Sequence, residues 1–121
     1  MSDKVFELHG VRIVECAPGG AVFRTGGDAN DLIGAAWGVE AAMVAVPLAR
    51  LDASFLDLKS GLAGEVIQKF VNYGLRLALV GDISSAVANS RALHDFVYES
   101  NRGRHVWFVA DMDVLAARLV A

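Results

Sequence analysis

The chain has 121 residues, of which 55% are apolar and 21% charged, a balance that supports one folded domain with a real core and excludes an intrinsically disordered segment. Its net charge of −3 offers no bulk attraction for nucleic acid or an anionic membrane. Cys16 is the single cysteine, which excludes an internal disulfide and a cysteine metal cluster and fits a reducing cytoplasm. The opening Met-Ser-Asp-Lys-Val-Phe-Glu lacks the basic-then-apolar order of a signal peptide, and the longest uncharged apolar run, Ala41 to Ala49, is too short to span a bilayer. The expectation is a cytoplasmic protein with no membrane and no nucleic-acid partner.

In chain order, Lys4 to His9 and Val11 to Ala17 predict a hairpin that turns at His9-Gly10. Pro18-Gly19-Gly20 ends the second strand. Asp28 then predicts an N-cap for a helix whose buried face is Leu32, Ile33, Ala36 and Trp37. Met43 to Pro47 is a continuous apolar run, as in a central strand covered on both faces. Ser54, with Asp57 three residues on, predicts the start of a helix that buries Leu58, Leu62, Val66, Ile67, Phe70 and Val71 and closes at Gly74. Leu75 to Val80 reads as a strand. Ser84, Ser85 or Ser90 caps one further helix with Leu93, Phe96 and Val97 inside, ending at Asn101 to Gly103. His105 to Val109 is a last strand, and Asp111 caps a last helix with Val114, Leu115, Arg118 and Leu119 at helical spacing.

The order ββαβαβαβα predicts an α/β fold with a mixed five-stranded sheet, four parallel strands and four main helices. Successive right-handed crossovers give strand order 1-2-3-4-5 and put the crossover helices on one face. Such a sheet has no point where strand order reverses, so no dinucleotide or flavin cofactor is expected. The other face needs cover from a terminal helix, a loop or a second subunit, and a homodimer is expected.

Several residues are candidates for function. Ser60, where a helix starts, reads as a phosphoacceptor, because a phosphate there would meet free N–H groups and the helix dipole. The plainer reading is an ordinary serine, a cap if residues 52–58 form a separate turn or an interior surface serine if the helix starts at Ser54. Gly61, Ala63 and Gly64 invite close backbone approach, by a bound anion, by a partner or by the adjacent strand. Glu65 and Lys69 have the favoured i, i+4 spacing of a solvated pair. Gln68 and Asn72 lie one turn apart beside the glycines and read as two amides that bind either a partner's backbone or the protein's own loops.

Asp82 and Ser84 follow a strand at its carboxyl end, where α/β proteins bind ligands, though Gly-Asp-x-Ser is also a good turn and cap. Glu99, Asn101, Arg102, Arg104 and His105 form a polar cluster that either recognises a carboxylate or phosphate or merely complements a helix C-terminus. His9, His94 and His105 have no metal-ligand spacing, so no metal is expected. No catalytic residue is assigned.

The segments Leu58 to Tyr73, Val80-Gly-Asp-Ile-Ser84 and Asp95 to Gly103 resemble domain of unknown function 4180, a bacterial family, over nearly the whole chain. That resemblance implies a fold and no reaction. The element order also resembles the STAS domains, the anti-sigma-factor antagonist fold. In those domains a partner kinase phosphorylates a Ser or Thr at the start of the helix after the third strand. Ser60-Gly61-Leu62-Ala63-Gly64 is similar to the pattern around that site, with Lys59 where the family usually has Asp or Ser.

Three readings of function follow. The first is a non-enzymatic regulatory or protein-binding module that docks through residues 58–73 and is switched at Ser60. The second is a small-molecule binder or enzyme at the strand carboxyl ends, using Asp82, Arg50 and Glu99. The third is a structural homodimer.

Overall fold

A computed structural model describes residues 3–120. The hairpin forms as expected: β1 (Lys4–Leu8) runs antiparallel to β2 (Val11–Glu15). Its turn places His9 and Gly10 at φ of 50° and 83°, the paired positive values of a two-residue hairpin turn. Cross-strand partners Glu7 and Arg12 form an ion pair of 3.1 Å.

From β2 onward the strands are parallel: β3 (Met43–Pro47), β4 (Arg76–Val80) and β5 (Val106–Val109), in sheet order β1-β2-β3-β4-β5. The described residues form five α-helices: α1 (Asn30–Gly38), α2 (Leu62–Asn72), α3 (Ser84–Asn89), α4 (Arg91–Arg102) and α5 (Met112–Val120).

The extra helix comes from a break at Ser90. Ser84 and Ser90 head separate helices, and the Ser90 hydroxyl caps α4 by accepting from the Leu93 N–H at 3.1 Å. An extended residue at Ser90 (φ −143°) ends α3, so two helices stand where one was expected.

Pleat alternation divides the sheet into two apolar faces. Val14, Val44, Val46, Leu77, Leu79, Val106 and Phe108 meet α1, α2 and α4 on one face. Ile13, Met43, Ala45, Ala78, Trp107 and Val109 form the other, and α5 covers it with Leu115, Met112 and Leu119. A terminal helix therefore supplies the cover that the strand order demands.

Three sequence expectations fail locally. Asp28 does not cap α1. It lies in a 3-10 turn (Gly26–Ala29) and its carboxylate reaches back to the Arg24 and Thr25 N–H groups at 2.8 and 3.0 Å, which holds it below the ordinary carboxylate pKa. Trp37 is 60% exposed, because the buried face of α1 ends at Ala36. The helix expected from Ser54 begins only at Leu62, and Leu58 stands outside it.

Candidate functional site

The segment before α2 is two short 3-10 turns, Ala53–Leu56 and Leu58–Ser60. An aspartate opens each: Asp52 accepts from the Ser54 N–H at 3.1 Å, and Asp57 from the Lys59 N–H at 3.2 Å. Such Asx contacts compete with continuous helix, which is why the helix does not start at Ser54. Ser54 instead donates its hydroxyl to Asp52 at 2.6 Å.

Gly61 then adopts φ 79°, a left-handed conformation that turns the chain into α2 and that side-chain-bearing residues avoid. Ser60 sits just outside the helix. Its exposed hydroxyl donates to the Ser54 carbonyl at 2.6 Å and accepts from the Leu62 N–H at 3.2 Å. Ser60 therefore caps the first N–H of α2 while Gly61 occupies the cap position.

Within α2, Leu62, Ala63, Val66 and Phe70 are buried, whereas Ile67 is half-buried and Val71 is 36% exposed. The narrower stripe leaves one helix face to solvent. A Schellman closure ends the helix: Leu75 N–H donates to Phe70 and Gly74 N–H to Val71, at 2.9 and 3.0 Å.

Gly64 is not a site of close packing, since a Cβ there would meet nothing within 4 Å. The close approach is made by Gly26 instead. A Cβ on it would lie 3.0 Å from that of Glu65, and its N–H donates to the Glu65 carboxylate at 3.1 Å. Glu65 thus ties α2 to the Gly26-Gly27 turn rather than pairing with Lys69. Gln68 donates to Asn72 at 2.7 Å, so the two amides bind each other on the exposed face and leave further donors and acceptors free.

Two open clefts adjoin along this face. Gly26, Gly27, Glu65, Gln68, Lys69 and Asn72 line one of about 340 Å³. Asn30, Ile33, Gly34, Trp37, Lys69 and Tyr73 line the other, of about 320 Å³. Lys69 belongs to both. Trp37 and Tyr73 are 60% and 50% exposed, meet edge to face at 6.0 Å, and are joined by an indole N–H donated to the Tyr73 carbonyl at 3.1 Å.

Sequence reading missed this aromatic pair. The apolar spacing puts Trp37 in the core, and Tyr73 enters only as the last residue of a segment that carries the family resemblance. The available signal was Trp37's place at the end of its apolar stripe, beside the glycines of α1.

The remaining candidates are scattered. Asp82 accepts from the Ser84 N–H at 2.9 Å, and its pKa is lowered by the Ser84 hydroxyl and then by that N–H. Both residues line a largely apolar cleft of about 240 Å³ at the carboxyl ends of β4 and β5, with Val87, Val97 and Phe108. Arg50 and Glu99 do not line that cleft. Arg50 donates to the carbonyls of Ala21 and Ala17 at 2.7 and 2.9 Å and stacks over Phe23. Glu99 pairs with Arg102 at 3.4 Å on the exposed side of α4. Asn101 accepts from the Phe108 N–H of the outer strand β5 at 2.7 Å, which satisfies part of a sheet edge.

The matched family model is the domain of unknown function DUF4180, over residues 8–119. The chain belongs to the DUF4180 family. No curated protein and no solved structure matches it. The DUF4180 match spans every strand from β2 onward and all of the α2 face, so the clefts lie within the family's domain. No helix among the described residues is long and apolar enough to cross a membrane, and none of the described His, Cys, Asp and Glu residues group as a metal site.

Proposed function

We propose that this DUF4180 chain is a non-enzymatic regulatory module that binds a protein partner across the outer face of α1 and α2, with Ser60 as a phosphorylation switch. The observation that carries the reading is the exposed Trp37–Tyr73 pair next to the amide-bearing face of α2. Exposed aromatic anchors flanked by polar groups are the usual energetic centre of protein interfaces. Gly26, Gly27 and Gly34 border the clefts and carry no side chain to obstruct a partner's backbone.

Ser60 supports the switch by its position. Its hydroxyl is exposed and stands before the helix that follows β3, the place at which STAS domains are phosphorylated. A phosphate there replaces a donor with acceptors, so the Ser60–Ser54 bond would be lost. The new charge would face the N–H groups of Ala63 and Gly64 in the first turn of α2, where the helix dipole favours it. The ββαβαβααβα order, in which α3 and α4 replace one expected helix, and the sheet order β1-β2-β3-β4-β5 support a STAS-like arrangement.

A photo-crosslinking residue placed at Gln68, in cells of the source, tests this. A defined heterologous adduct is expected from position 68, reduced by Trp37→Ser, and none from position 99 on α4. Intact-mass analysis is expected to find one phosphate, mapped to Ser60. No adduct at 68, or the same adducts from 99, overturns the docking face. Stoichiometrically unmodified Ser60 under all growth conditions removes the switch.

A further inference from the structure

The face of the sheet opposite α2 carries an arrangement that the docking reading does not use. Arg76 opens β4, Arg104 precedes β5, and Arg118 lies on α5. All three line one open cavity of about 420 Å³ together with Val11, Trp107 and Leu119. The guanidinium of Arg118 stands 4.0 Å from the Trp107 ring centroid, and that of Arg76 stands 4.5 Å from it.

Two of the cations are fixed in place. Arg76 donates its Nε–H to the Arg104 carbonyl at 2.9 Å, and Arg118 donates to the Asn101 carbonyl at 2.7 Å. Trp107 is itself held, its indole N–H donating to Gly103 at 2.9 Å. Each of these guanidiniums spends one donor in this way and keeps others for a ligand.

Among the described residues, none that lines the cavity is acidic. The ion pairs within 4.0 Å among the described residues involve Arg12, His94 and Arg102, and no carboxylate of a described residue reaches Arg76, Arg104 or Arg118. Burial, then the charges of Arg104 and Arg118, lowers the pKa of Arg76. Three mutually repelling cations in a chain of net charge −3 represent a local cost that an anion would relieve. Guanidinium forks match the geometry of carboxylate and phosphate oxygens. The cavity volume falls within the range of small-molecule sites, and Val11 and Leu119 give it an apolar wall.

We propose that Arg76, Arg104 and Arg118, grouped around Trp107, form a binding site for a small organic anion with a phosphate or carboxylate head. The head engages the three guanidiniums and the apolar part rests on Val11 and Leu119. Stacking alone would explain Arg76 and Arg118 as cover for Trp107, but it gives no reason for Arg104, which forms no ion pair with a carboxylate among the described residues.

Titration with phenyl phosphate and with benzoate, read from the Trp107 indole N–H resonance, tests the site. That resonance is the one retained in Trp37→Phe. A saturable shift is expected with at least one of the two anions and none with phenethylammonium. The tighter of the two identifies the head group. Arg104→Gln, at an exposed position, is expected to weaken binding by about tenfold or more with an unchanged urea midpoint. Arg102→Gln, outside the cavity, is expected to leave binding as it was. No saturable shift with either anion, an equal shift from sodium chloride at matched ionic strength, or unaltered binding by Arg104→Gln overturns the proposal.

Discussion

At the scale of single residues, burial and hydrogen bonding decide what each reactive group is able to do. Cys16 is 3% exposed, and burial pushes its thiol from 9.0 up to about 12. The thiol is therefore protonated at neutral pH and a poor nucleophile. Native protein is expected to resist iodoacetamide at neutral pH, whereas urea-unfolded protein labels readily. Equal rates would show that the segment just after β2 opens. The pH dependence has a definite sign. The folded pKa exceeds the unfolded one, so this contribution to stability is intact below 9.0 and is lost as pH rises towards about 12. Urea unfolding from about pH 8 to about pH 10 should therefore cost wild type more stability than it costs Cys16→Ala. Ser60 makes a related point about legibility. Ser-Gly-Leu-Ala-Gly left Ser60 either inside a helix begun at Ser54 or before a later one, and the structure has it before α2. The choice between the two was not legible, because it depended on Asp52 and Asp57 capturing nearby N–H groups.

At the scale of elements, α2 shows which parts of a helix its sequence specifies. The stripe Leu62, Val66 and Phe70 and the closing Gly74 follow from periodicity and cap chemistry, and both are present. The entrance did not follow, since 3-10 turns and helix share the same local residue preferences. The two glycines near that entrance are chemically identical in sequence and opposite in structure. Gly61→Ala places a side chain at φ 79° and is expected to destabilise by about 1 kcal/mol. Gly64→Ala lies in an exposed first turn with nothing within 4 Å and is expected to stabilise by about 0.5–1 kcal/mol. Urea denaturation of the two variants checks both signs. If Gly64→Ala also weakens partner binding while raising stability, an open glycine face is being used for contact. Glu65 teaches the same lesson for charge. An i, i+4 partner was available in Lys69, yet the carboxylate takes the fixed N–H of Gly26, which costs no second side chain its freedom.

At the scale of the whole molecule, the topology was readable because each strand's hydrophobic run matched its depth in the sheet. Met43–Pro47 and, after Arg76, Leu77–Val80 of β4 lie inside and are apolar on both faces. Element order and crossover handedness then left few alternatives. The arginine-lined cavity was beyond reach, because Arg76, Arg104 and Arg118 come from three elements and meet only through the β4–β5 register and the docking of α5. That docking also bears on whether a second subunit is needed. The face opposite α2 has Ile13, Met43, Ala45 and Ala78 each at most 1% exposed within one chain, with α5 packed over them. Leu115 is the fully buried contact through which it packs there. Leu115→Ala is expected to cost about 2–5 kcal/mol by transfer and cavity terms together. It should also free the helix, so that Trp107 emission shifts to the red and a hydrophobic dye binds the exposed sheet. The Trp37–Tyr73 contact, on the far side of the sheet, should keep its environment at denaturant concentrations where α5 has already come away. A single transition common to both tryptophans would instead make the two layers one cooperative unit, with α5 essential to the fold rather than a cover laid on it.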